Sequence, residues 1–486
     1  MLPPPRRCGC RLAFEVRRYP DRGNLRRKGA VRIVQLVVKN PSELDFSLPL
    51  LWHLGSLDDP PEMHVVYLAA DRAQMLRTGH GYTAILRSIG VKELDLADFL
   101  PGRAHRLERA WRSAFKKSYS DELSIREGLA ALLGPRLRGP DTPGAAIRTA
   151  RAVLDRARRK VEHVALRLPD VVGGLRELAP DVVLLGNRRA VTPFPGHDEL
   201  FAWLRDEVPL VALVPHAAHE TTLREFTPFQ DEGDPLPPNV DFWITLEQTH
   251  TAEILPERAE QFAVVGNPGF DRGWVEWLRR RATRADPRPS VRAHCVVLGR
   301  KFHAPGAPRP SDPFTLSYEE GVAYFSSISE SLATTGHEVA VTLKPHPSTN
   351  AFLLDRALTE AGCEHWRTSF DPLAALVAEA DLLVGMFSTA LILGVPFGIP
   401  VVVLPSRVQT FVEQEWGVMR ELYRGLEHFV GETQAPASVL GAAVEQARGA
   451  RRAETPDMRH LARFLPDSPL ERCVERLART PAGASG

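Results

Sequence analysis

Lys344-Pro345-His346-Pro347 stands directly behind the apolar run 339–343, and Phe387-Ser388-Thr389-Ala390 directly behind the run 382–386. Each run has the length of a buried parallel strand. Both tetrapeptides therefore fall at strand carboxyl ends, where open α/β sheets hold nucleotide-type ligands. Prolines on either side of His346 restrict the backbone and hold the imidazole. Lys344 adds a fixed positive charge. Ser388 and Thr389 offer hydroxyls at the expected start of a helix, 390–395, where unpaired backbone N–H groups and the positive dipole end favour an anion. The chemistry these groups share is pyrophosphate binding. His346 would donate a hydrogen bond as negative charge develops on a leaving phosphate.

Further groups sit at comparable positions. Gly299-Arg300-Lys301 follows the run 293–298; the glycine permits close approach of a diphosphate and Arg300 can pair with it. His216, His219 and Glu220 follow the run 209–215. An imidazole or carboxylate there can deprotonate an acceptor hydroxyl. The spacing of His216 and His219 is not that of two helical metal ligands, and no metal is expected. Asp231 and Glu232 lie in a proline-rich loop, an alternative base or simply a solvated turn.

Strands and helices that would carry these residues alternate along the chain. Runs 31–38 and 63–70, then 181–186, 209–215, 240–246 and 262–265, read as strands. Helical patterns 43–54, 197–208 and 249–260 lie among them. In the second half, strands 293–298, 338–343, 381–386 and 401–404 alternate with helices 317–335, 349–361 and 408–423. Gly336 and Gly362 close the first two of these helices. A helical stretch 461–477 ends the pattern. Residues 101–180 read as a mostly helical insert. Its two basic stretches, 103–117 and 147–160, are expected to bury apolar stripes and solvate their arginines; contact with a membrane surface or polyanionic acceptor is the other reading. The expected organisation is a basic lead-in (1–28), a first domain (29–283), a Pro-containing linker (284–291), a second domain (292–455) and a C-terminal helix and tail (456–486). The fold class is α/β, two doubly wound Rossmann-like domains facing across a cleft.

Composition excludes several classes. Lys plus Arg (61) nearly balances Asp plus Glu (60) in 486 residues, so no global field favours nucleic acid. The five cysteines are scattered and odd in number, which argues against a disulfide framework or zinc site and for a reducing cytoplasm. The uncharged stretch 382–406 is long enough to span a bilayer, but Gly385, Gly394, Pro396, Gly398 and Pro400 divide it into strand, helix and strand.

Two such domains with phosphate-binding loops in the second resemble the GT-B class of nucleotide-sugar glycosyltransferases. Lys344-Pro345-His346-Pro347 resembles the His-Pro motif of bacterial sialyl- and polysialyltransferases and of CDP-glycerol glycerophosphotransferases. Ser388-Thr389 resembles their Ser-Ser/Thr motif, and Gly266-Asn267-Pro268-Gly269-Phe270-Asp271 the Gly-x-Pro-x-x-Asp element of the glycerophosphotransferases. The likeness covers roughly residues 180–430. It departs at the acidic motif: Asp231-Glu232-Gly233 matches the sialyltransferase pattern by letters but does not directly follow a strand.

The resemblance implies transfer of a sugar or polyol phosphate from a CMP-, CDP- or UDP-linked donor to a glycan or lipid-linked glycan acceptor, as in capsule or other surface-polysaccharide biosynthesis. Neither a further cofactor nor a metal is implied, and peripheral contact with the inner face of a membrane and the oligomeric state are left open. It places Glu413 and Glu415 at the donor ribose, and Asn40, Ser42 and Asp45 on the acceptor-side wall. The runner-up is a non-hydrolysing UDP-N-acetylglucosamine 2-epimerase, since His216 to Arg224 resembles its His-x-Glu-Ala-Gly-Leu-Arg string without the glycine. A third reading is a catalytically degenerate nucleotide-sugar-binding module.

Overall fold

The computed structural model describes residues 31–38, 43–68, 81–99, 168–186, 197–214, 237, 239–244, 261–285, 293–303, 305, 315–346, 349, 351–386, 388–404, 428–429, 435–449 and 468–478. They form two parallel sheets. The first contains β1 (Arg32–Val37), β2 (Glu62–Tyr67), β3 (Lys92–Asp95), β4 (Val182–Gly186), β5 (Leu210–Val214), β6 (Val240–Ile244) and β7 (Phe262–Val264), in the order β3-β2-β1-β4-β5-β6-β7. The second contains β8 (Ala293–Leu298), β9 (Val339–Lys344), β10 (Arg367–Thr368), β11 (Leu382–Met386), β12 (Val401–Leu404) and β13 (His428–Phe429), in the order β10-β9-β8-β11-β12-β13. Every pairing within them is parallel. In each sheet the chain builds outward to one side of its first strand and then returns to build on the other. This is the doubly wound Rossmann-like plan, and it fixes two switch points, β1/β4 and β8/β11.

The central strands are buried on both faces, which is why they read as unbroken apolar runs. Helices α1 (Leu44–Gly55), α2 (Gly81–Ser88), α3 (Leu168–Leu178) and α4 (His197–Asp206) belong to the first sheet's units, and α5 (Arg272–Ala285) follows β7. In the second half, α6 (Tyr318–Ala333) starts at a reciprocal capping box. There Ser317 accepts from the Glu320 N–H at 3.1 Å, while the Glu320 carboxylate accepts from the Ser317 N–H at 2.7 Å. Gly336, after α6, and Gly362, after α7 (Ala351–Glu360), both adopt φ +68°, the left-handed stop that glycine alone takes without strain.

Two packing relationships join the domains. Helix α5 lies against α8 (Leu373–Glu379), so that Trp274, Val275 and Leu278 share one apolar cluster with Leu373, Leu376 and Val377. Each such fully buried side chain contributes about 1.5–3 kcal/mol. The last helix, α10 (Pro469–Ala478), follows the second domain in sequence, after α9 (Pro436–Gly449), yet packs on α1 of the first. Arg476 reaches the buried Asp241 of β6 with two hydrogen bonds, one at 2.9 Å. The chain therefore passes between the domains twice.

Where they fall on described residues, the expected strands and helices are present with ends shifted by no more than three residues, with one correction. The stretch expected as helix 390–395 is a six-residue 3-10 helix, Thr389–Gly394. Gly394 at its end packs so tightly on β12 that a Cβ there would lie 2.4 Å from Val401 Cγ2, and Gly398 turns the chain at φ +58°. The helix expected at 461–477 is described only from 469. Elements α2, β3, β10, α8, β13 and α9 had no clear signal. The lead-in, residues 101–167 of the insert, helices 249–260 and 408–423 and most of the linker lie outside the described residues. Among the described residues no helix is long and apolar enough to cross a membrane.

Candidate active site

Gly299, Lys344, His346 and Ser388 stand at or just beyond the carboxyl ends of the neighbouring strands β8, β9 and β11. Gly299 follows β8 and explains the local geometry. Its N–H donates to the Lys344 carbonyl at 2.8 Å, and a Cβ on it would lie 3.2 Å from the Lys344 oxygen and from Pro345 Cα. The glycine thus admits the neighbouring backbone, whereas the sequence suggested it admits a diphosphate. That contact presses the turn carrying His346 against the switch point. The turn is closed by Thr349, whose N–H donates to the His346 carbonyl at 2.9 Å and whose hydroxyl donates to the Arg300 carbonyl at 3.3 Å.

Ser388 occupies the N-cap position of the 3-10 helix, but its hydroxyl makes no capping bond. Capping, the bland role for a serine at a helix start, is not what this side chain does. Thr389 opens the 3-10 helix. His346, Arg300 and Ser388 each keep part of their surface exposed at the mouth of the crevice.

Lys344 turns toward the first domain. Its ammonium donates to the carbonyls of Phe370 (3.1 Å) and Asp371 (2.5 Å) and sits 5.9 Å from the centre of the Tyr82 ring. Burial lowers its pKa, while the negative charges of Asp45 and Asp371 pull it back up. Two of its three N–H donors are committed, so any pull it exerts on a phosphate is that of a charge held in place.

Opposite it stands a group that the sequence marked only as part of a polar wall. Asp45 lies in the first turn of α1, just beyond the first sheet's switch point. Its carboxylate accepts from the Tyr82 hydroxyl at 2.5 Å. Burial pushes its pKa up to about 6, with Lys344 and the Tyr82 hydrogen bond acting in the other direction. Nearby, Glu43 is turned inward, its carboxylate accepting from the Val38 N–H at 2.7 Å. Asp371 closes the seam by accepting from the Gly81 N–H at 2.6 Å and the Ser369 hydroxyl at 2.9 Å. Tyr82 and Asp371 gave no sequence signal because they meet Asp45 and Lys344 only through the tertiary fold.

The other residues chosen from the sequence, His216, His219, Glu220, Asp231, Glu232, Glu413, Glu415, Asn40 and Ser42, lie outside the described residues. The Gly266–Asp271 element is described, and it acts locally. Asn267 Oδ1 accepts from the Gly269 N–H at 2.9 Å, and Asp271 Oδ1 caps α5 through the Trp274 N–H at 3.0 Å. No group of three or more potential metal-ligating side chains occurs among the described residues. A separate solvent-open cavity of 570 Å³, lined among others by Val264, Glu471, Arg472 and Glu475, shares no residue with the crevice.

No protein-family model and no curated protein matches the chain. Solved structures superpose on it with low scores. The UDP-GlcNAc 2-epimerase of Methanocaldococcus jannaschii aligns at 12% identity and a TM-score of 0.42 over 92% of this chain and 99% of that one. Anabaena HepE in complex with UDP aligns at 14% identity and 0.40 over 92% and 100%. A variant of the wall teichoic acid polymerase TagF aligns at 9% identity and 0.44 over 92% and 88%. The fold class rests on the strand order of this chain: a two-domain, doubly wound α/β protein with its switch points turned toward each other.

Proposed function

We propose that the chain is a GT-B transferase moving a sugar, or a polyol phosphate, from a nucleotide-activated donor to a hydroxyl on a surface-glycan acceptor. The observation that carries the reading is the placement of His346 behind β9 and Ser388 behind β11, the two strands that flank β8, with Lys344 of β9 facing Asp45 of the first domain. Such crevices hold nucleotides in open α/β sheets, and the side chains gathered here suit a phosphate leaving group.

In this reading the donor lies along the second domain. His346 donates a hydrogen bond to the phosphate oxygen that departs, and Ser388, Thr389 and Arg300 hold the remaining phosphate oxygens. Lys344 supplies positive charge from behind. These are donors aimed where negative charge develops, the kind of preorganisation that contributes most to catalysis. Glu413 and Glu415 remain the proposed ribose contacts. The acceptor enters from the first domain, and closure of the cleft brings it to the donor. Charge neutralisation by these residues makes metal at the diphosphate unnecessary, so activity is expected to survive EDTA; complete loss, restored by Mn²⁺ or Mg²⁺, would contradict this. The place of action is the cytoplasm, at or near a membrane carrying the acceptor.

A thermal-shift series with CMP, CDP, UDP and GDP tests the reading. One of them at about a hundredfold its dissociation constant should stabilise the fold by about 2.7 kcal/mol. No shift with any of them would sink it.

A further inference from the structure

The proposed transfer requires a group on the first domain that removes the acceptor's proton, and several carboxylates lie near the seam. Hydrogen bonding separates three of them, Glu43, Asp371 and Asp45. Glu43 is almost wholly buried and spends its carboxylate on the Val38 N–H. Asp371 uses one oxygen on the Gly81 N–H and the other on the Ser369 hydroxyl. Asp45 uses one oxygen on the Tyr82 hydroxyl, and its second takes no hydrogen bond from the described residues. The residue also keeps part of its surface open. Its position is fixed at both ends, by the α1 backbone and by a tyrosine that is itself fully buried.

We propose that Asp45 is the general base of this protein, taking the proton from the acceptor hydroxyl in the crevice between the two switch points. The role rests on the transferase reading above. In the step, the acceptor oxygen forms its bond to the transferred carbon (or phosphorus) and gives its proton to the Asp45 carboxylate. The bond from that centre to the donor's phosphate oxygen breaks, and its electron pair leaves with the nucleotide, toward His346. Lys344, one strand residue before the Pro345-His346 turn, faces Asp45 from the second domain. The same cleft thus holds a proton acceptor on one wall and the leaving-group donors on the other.

The charged and titratable groups around Asp45 are Lys344 from β9, Asp371 from the loop before α8, Tyr82 from α2 and Glu43 at the start of its own helix. Their balance leaves the carboxyl at about 6, so it is mostly ionised at neutral pH while remaining basic enough to accept a proton. Loss of the Tyr82 hydroxyl removes a bond to the ionised form and must raise that value.

The experiment uses the full chain and four donors, CMP-sialic acid, CDP-glycerol, UDP-N-acetylglucosamine and GDP-mannose, with water as acceptor and nucleotide release as readout. For the donor that wild type turns over, Asp45→Asn should lower release at least about a hundredfold while leaving the thermal shift by the matching nucleotide unchanged. The wild-type rate should fall on the acid side with an apparent pKa near 6. In Tyr82→Phe that limb should move to higher pH. Release by a folded Asp45→Asn within threefold of wild type, or an acid limb unmoved in Tyr82→Phe, overturns the assignment. If no nucleotide shifts the wild type and no donor is turned over, the transferase reading fails first and takes this role with it.

Discussion

The Gly81 N–H, on the first domain, donates to Asp371 Oδ1, on the second, at 2.6 Å. This bond spans the cleft between two residues almost three hundred positions apart. It also positions Lys344, because the Asp371 carbonyl accepts from that ammonium and the Asp371 carboxylate faces it. Asp371 is therefore a positioning residue for the whole seam.

Asp371→Ala removes the cross-domain acceptor and one of the charges that keep Lys344 protonated. The expected result is a wider cleft and a stability loss of about 1.5–3 kcal/mol, the range for hydrogen bonds to charged groups. Small-angle scattering checks the first as an increased radius of gyration, and urea unfolding checks the second. An unchanged radius with unchanged stability would show that the seam does not hold the domains.

Arg476→Ala tests the return of the C-terminal helix to the first domain. It strips the buried Asp241 of its ion pair and leaves that carboxylate with the Trp243 indole N–H, 2.7 Å away, as its remaining described partner. Breaking such a pair costs about 3 kcal/mol. Denaturant titration followed by tryptophan fluorescence should report it, and a cost below about 0.5 kcal/mol would mean that α10 is held by other contacts.

Two glycines should respond in opposite directions. Gly299→Ala places a methyl 3.2 Å from the backbone of Lys344 and Pro345, which cannot yield without moving the His346 turn. A loss of about 1–3 kcal/mol and a fall in turnover are expected. Gly441 lies inside α9 with nothing within 4 Å of its would-be Cβ, so Gly441→Ala should stabilise by about 0.5–1 kcal/mol. Differential scanning calorimetry on both variants checks the contrast; equal shifts would contradict the packing described for Gly299.

What the sequence made legible follows from the range of the forces involved. Buried parallel strands such as β8 and β11 announce themselves as local apolar runs, and the motifs behind them inherit their positions. Gly336 and Gly362 were readable as helix stops because their conformations are set within a few residues. Edge strand β3 was not, since its Lys-Glu-Leu-Asp sequence is partly exposed and carries no apolar run. Helix α8 was missed because Leu373–Glu379 is nearly all apolar and short, which periodicity cannot distinguish from a strand. The site divides in the same way. His346 and Ser388 could be placed at strand ends from the apolar runs before them alone. The importance of Asp45 emerges only when Tyr82 and Lys344 reach it from elsewhere in the chain.

The most direct test of the central claim is nucleotide release by His346→Ala, followed by ³¹P NMR with the donor that wild type turns over. If His346 serves the leaving phosphate, the variant should remain folded, with its thermal unfolding close to wild type, and release nucleotide about 10²–10³-fold more slowly. A folded His346→Ala protein that turns over at the wild-type rate would contradict the account.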